Sequence, residues 1–71
     1  MKELLLDALA YKYMAEMKDA HARFHVYLNN SVGIGEHPQI TEEMDKIVAQ
    51  YTDAKDKLQS LNEIKIFDDI M

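Results

Sequence analysis

The chain reads as all-α: two long helices joined by a glycine-containing turn into an antiparallel, coiled-coil-like hairpin. Three observations predict this. Apolar residues recur at alternating spacings of four and three along two separate stretches. The two glycines and the single proline of the chain all fall between those stretches. The two stretches match in length, so a short connection would fold one back along the other.

The first stripe runs through Leu6, Ala10, Tyr13, Met17, Ala20, Phe24 and Tyr27 without a slip. That spacing puts all seven on one side of a helix. Ala, Leu, Met, Lys and Glu dominate between them, all good helix formers. The helix is expected over about 3–29, ending at Asn29-Asn30 because asparagine tolerates the left-handed conformation that closes helices. The turn then takes 30–37. The second stripe is Ile40, Met44, Ile47, Tyr51, Ala54, Leu58 and Leu61, which predicts a helix over about 38–63. Its start is signalled twice, by Pro38 in a first turn or by Thr41 followed by Glu42 and Glu43. The pairs Asp19 to Arg23, Glu42 to Lys46 and Asp53 to Lys57 sit four apart with the acid first, a spacing that supports helices. Folding at 30–37 sets Phe24 near Met44, Met17 near Tyr51 and Leu6 near Leu61.

The domain therefore spans 1–63 and leaves a tail, 64–71. Lys65 breaks the stripe there, and Ile64, Ile66, Phe67 and Ile70 alternate with Asp68 and Asp69. Two readings suit it: a helical extension packing on the bundle end near Leu4 and Leu5, or a short acidic and apolar peptide that docks in a partner's groove.

The flanks of the two stripes differ. Beside the first runs a row of Tyr11, Met14, His21, His25 and Leu28, while the second is bordered mostly by charged residues and Val48. A hairpin of 71 residues buries one seam and cannot cover that row. A homodimer built on the first helix, giving a four-helix bundle, is expected, with Tyr11, Met14, His21, His25, Leu28, Ile66, Phe67 and Ile70 as interaction residues.

Composition excludes several function classes. The net charge is −5 and the pI about 4.9, with one arginine, so no basic face exists to track phosphates. The first thirty residues are neutral and the excess acid follows them. With no cysteine there is neither a disulfide nor a thiolate metal site. No run of about 18 apolar residues is present to span a membrane. Asp7 interrupts the only leucine cluster that could begin a secretory leader, so a cytoplasmic location is expected.

The candidate chemistry is sparse. His21 and His25 lie four apart, a spacing that lets two imidazoles share a metal ion, and Glu43 would be the third ligand in the register above. No cofactor is expected. Val32-Gly33-Ile34-Gly35-Glu36-His37-Pro38 contains a GxG but neither the third glycine of a dinucleotide fingerprint nor the Lys-Ser/Thr ending of a P-loop. It reads as a chain reversal in which Val32 and Ile34 close the end of the core. The carboxylates fall on solvated faces, and two helices enclose no pocket in which they could converge. No enzymatic activity is expected.

Asp7-Ala8-Leu9-Ala10-Tyr11-Lys12-Tyr13, the turn just quoted, and Glu42-Glu43-Met44-Asp45-Lys46 resemble segments of small uncharacterised proteins of T4-like tailed phages, including those of cyanobacteria. The likeness covers the chain to about Leu61. It implies a two-helix fold and expression in an infected bacterial cytoplasm, and it carries no activity with it. The expectation is a non-enzymatic protein-interaction module, its partner a second copy or a host or phage protein. A metal-binding bundle through His21 and His25 and an acidic modulator of host transcription or of a nuclease are the alternatives.

Overall fold

The computed structural model of the chain describes residues 1–34 and 39–70, and the side chains of all but 30–34 among these. Two helices make up the described residues: α1, Lys2–Ile34, and α2, Gln39–Ile70. They pack side by side as an antiparallel hairpin. The ion pair of Lys2 with Asp68 at 4.0 Å joins the start of one to the end of the other. Arg23 donates to the Gln50 side-chain oxygen nearer the turn. At 33 and 32 residues the helices are each about 50 Å long, which accounts for a rod of 55 × 17 × 13 Å.

The seam is the one that the apolar spacing predicts. Ala20 is fully buried, and Leu6, Ala10, Tyr13, Met17, Phe24 and Tyr27 are half-buried beside it. From α2, Ile47, Ala54 and Leu61 are buried, with Ile40, Met44 and Leu58 half-buried. Ala20 and Ala54, at 0% exposure, let the helix backbones approach closely. Tyr51, also on the expected stripe, stays exposed. Its ring is too large to lie between backbones drawn together at Ala20, and the two residues line one open groove.

Three expectations are corrected. First, α1 does not end at 29 but continues to Ile34, so Asn29 and Asn30 are helical. Asparagine is only a weak helix terminator, and its helical conformation costs well under 1 kcal/mol relative to a good former. The expected turn at 30–37 is thus helix in its first five residues. Its remainder and Pro38 as a helix start lie outside the described residues, as do the side chains of Val32 and Ile34. Secondly, this shift changes the register. Phe24 shares a groove with Ile47, one turn beyond Met44, and Leu6 shares one with Lys65, one turn beyond Leu61. Leu61 sits with Leu9 and Tyr13 instead, whereas Met17 and Tyr51 do share a groove. Each added residue in α1 moves the fold point along the chain and sets α1 opposite later parts of α2.

Thirdly, 64–70 forms the last two turns of α2, the helical extension that was one of the two readings, but without the expected packing on Leu4 and Leu5. The seam continues through Lys65, which is half-buried through its aliphatic stem, toward Asp68. Ile64 borders a groove with Leu9 and Tyr13 of α1. Because charged residues hold the seam positions, Ile66, Phe67 and Ile70 are turned outward, Phe67 to 65% exposure. They do not pack on Leu4 and Leu5, which are equally exposed.

Candidate functional site

The two sides of the hairpin have different chemistry, and heptad spacing explains why. In an antiparallel pair, residues flanking one side of the α1 seam meet residues flanking the same side of the α2 seam. On one side lie Glu16 and Arg23 of α1 with Gln50 and Lys57 of α2, spaced by sevens. Here Arg23 holds Gln50 across the seam and Asp19 along its own helix at 3.1 Å. Asp53 pairs with Lys57 at 3.0 Å. That hydrogen bond and the Asp53 charge, followed by those of Glu16 and Tyr13 on α1, raise the Lys57 pKa above its ordinary value and outweigh a small opposing effect of burial. The raised value has a defined consequence: the pair contributes fully below the ordinary lysine pKa, and its contribution fades as pH rises through the raised one. Asp53→Asn should bring the Lys57 midpoint back down in an NMR titration of its side chain. A midpoint that stays put would show that α1 rather than Asp53 sets it.

The opposite side carries Met14, His21 and Leu28 of α1, again spaced by sevens, and Val48 of α2. Tyr11 and His25 extend it outward, and Tyr51 borders it at the seam. Every one of these residues is exposed. His21 and Val48 close a shallow apolar groove over Ala20, Phe24 and Ile47, and Met14, Met17, Lys18, Tyr51 and Leu58 line the next one along. Met14 and His21 of the expected row thus border two adjoining grooves, and α2 adds Val48 and Tyr51 to them. Val48 stood out in the sequence as the lone apolar flank of its stripe; Tyr51 gave no signal, because its position is a seam position. The remaining expected interaction residues, Ile66, Phe67 and Ile70, lie apart from this surface, on the open end of the hairpin with Met1, Leu4 and Leu5.

His21 and His25 are brought together. Their Nε2 atoms are 3.1 Å apart and the rings meet edge to face, centroids 4.6 Å apart at 74°. Glu43, the expected third ligand, does not join them. It belongs to the charged side, one heptad before Gln50, so the whole seam lies between it and the histidines. Lys46 pairs with it at 3.2 Å, in place of the expected Glu42. Among the described residues no three His, Asp or Glu side chains are grouped to hold a metal ion, and every carboxylate is exposed except the half-buried Glu43. No described helix is long and apolar enough to cross a membrane. Compared with known proteins, the chain matches no family model, no curated protein and no solved structure.

Proposed function

We propose that the chain is a non-enzymatic interaction module: an acidic helical hairpin that pairs with a second copy through the Met14-His21-Leu28 side of α1, forming a four-helix bundle. One quantity carries the reading. The chain exposes 5790 Å², whereas a compact monomer of 8.2 kDa exposes about 4,500 Å². The excess of about 1,300 Å² exceeds the ~800 Å² that each partner buries in a standard protein interface. The apolar side of the hairpin is the face on which such burial is favourable, because the opposite side is laced with ion pairs. The contact is isologous, as expected for two identical chains. The resemblance to small proteins of T4-like phages agrees with an accessory role in an infected bacterial cytoplasm, where the bundle would present the outward apolar residues of its ends to a host or phage protein. The alternative of an acidic modulator draws only on a net charge of −5 interspersed with lysines, too little to imitate a nucleic acid.

Light scattering over a concentration series tests the pairing, on the whole chain and on a version ending at residue 63. Each should give twice its own single-chain mass at high concentration, which is twice 8.2 kDa for the whole chain, and dissociate on dilution. A single-chain mass throughout would end the proposal. A dimer that only the shortened version loses would move the contact to the open end, around Phe67.

A further inference from the structure

We infer that His21 and His25 form a bidentate site for a late first-row divalent transition-metal ion, of the class of zinc, nickel or copper. The inference stands on the geometry of one helix and does not depend on dimerisation. Imidazole nitrogens bind zinc at about 2.0–2.1 Å, so two nitrogens on neighbouring coordination positions lie about 2.9–3.4 Å apart. The two Nε2 atoms are 3.1 Å apart. Ring centroids in such a chelate fall about 4.5–5.2 Å apart by the same construction, and here they are separated by 4.6 Å. Both rings thus have the spacing that a shared ion needs, and chelation would require no change of helix geometry.

The surroundings set the class of ion and the strength. Neutral imidazole favours zinc, copper and nickel over magnesium or calcium, which prefer oxygen donors. Both side chains are exposed in the single hairpin, so there the other coordination positions go to water. Pairing across the Met14-His21-Leu28 side would cover His21, and the titration is therefore run below the concentration at which the chain pairs. Lys18, one turn before His21, is the nearest cation on that side; the α2 residues closing the groove, Val48 and Tyr51, are an apolar side chain and a phenol. Glu43 is across the seam and takes no part. A two-nitrogen site open to water is weak beside a structural zinc site, which uses four protein ligands.

Calorimetric titration of the intact chain with zinc chloride, at a pH above the ordinary histidine range, tests this, with NMR of the imidazole nitrogens as a second readout. One ion per chain is expected, with both Nε2 resonances shifting together. His21→Ala and His25→Ala should each weaken binding about tenfold or more, because each removes half of the chelate. Both positions are exposed, so the variants should keep the wild-type circular dichroism. His37→Ala serves as the control and should bind as the parent does. A His21 or His25 variant that binds zinc as tightly as the parent would overturn the site, as would a parent chain whose imidazole resonances do not respond to zinc. In that event the 3.1 Å contact is a hydrogen bond between two neutral tautomers and nothing more.

Discussion

Replacing Met14 and Leu28 together by glutamate should convert the chain from dimer to monomer at concentrations where the parent is paired. Both side chains lie on the apolar side of α1, one heptad either side of His21, and both are exposed in the single hairpin. Burying one such side chain contributes about 1.5–3 kcal/mol. Met14 is 37% and Leu28 53% exposed, so about half of that gain is left for pairing. Two per chain make four in the dimer, and the contact loses about 3–5 kcal/mol before the cost of burying four carboxylates is counted. A micromolar dissociation constant corresponds to about 8 kcal/mol, which that loss and the carboxylate burial together remove. Sedimentation equilibrium should then report 8.2 kDa for the double variant. Val26→Glu makes the control: Val26 is comparably exposed but sits on another flank of α1, so its charge should leave the dimer intact. A double variant that still sediments as a dimer would place the contact elsewhere. A Val26 variant that dissociates would point to net charge rather than a defined face.

The parts of this molecule that were legible in its sequence are those fixed by local period. Seven residues spaced by fours and threes define a seam whichever helix they face, and the thirteen stripe positions other than Tyr51 are all at least half-buried. Register is another matter. It depends on where α1 stops, and Asn29-Asn30 is compatible with both a closing left-handed residue and one more turn of helix. The choice is made by five further residues of helix, Asn30 to Ile34, and it moves the cross-seam neighbours of Phe24 and Leu6 by about a turn. The end of α2 is ambiguous in the sequence for a related reason. Lys65 stands at a seam position and uses its methylenes there, so a search for apolar letters finds the stripe broken where the helix is continuous. The histidine pair was visible because its spacing is within one helix. Distance along the hairpin alone brings Glu43 near it, but Glu43 lies on the other side of the seam. Spacing by sevens settles that side: Glu43 goes with Gln50 and Lys57, and Met14 with His21 and Leu28.

Ile47→Ala should unfold most of the hairpin, while the same substitution at the next residue, Val48, should leave it folded. The two differ little in chemistry and by one position in sequence, yet Ile47 is 5% exposed and Val48 47%. Truncating a buried isoleucine costs about 2–5 kcal/mol, the range reflecting how far the neighbours collapse into the gap. Here the neighbours are Ala20 and Phe24 across the seam, and alanine has no atoms with which to fill a void. A domain of this length is stable by roughly 4–11 kcal/mol at typical values per residue, and with four buried side chains among the described residues this one belongs near the lower limit. The loss at Ile47 is therefore comparable with the whole. Urea unfolding followed by circular dichroism, with both substitutions placed in the Met14→Glu, Leu28→Glu background, separates folding from association. In that monomeric background Val48→Ala should shift stability by no more than about 1 kcal/mol, since about half of its surface stays in water. In the parent chain Val48→Ala should instead weaken the proposed pairing, whose contact Val48 would border. Equal losses at the two positions in the monomer would mean that the seam does not run through Ile47, and the register drawn from Phe24 and Ile47 would fall with it.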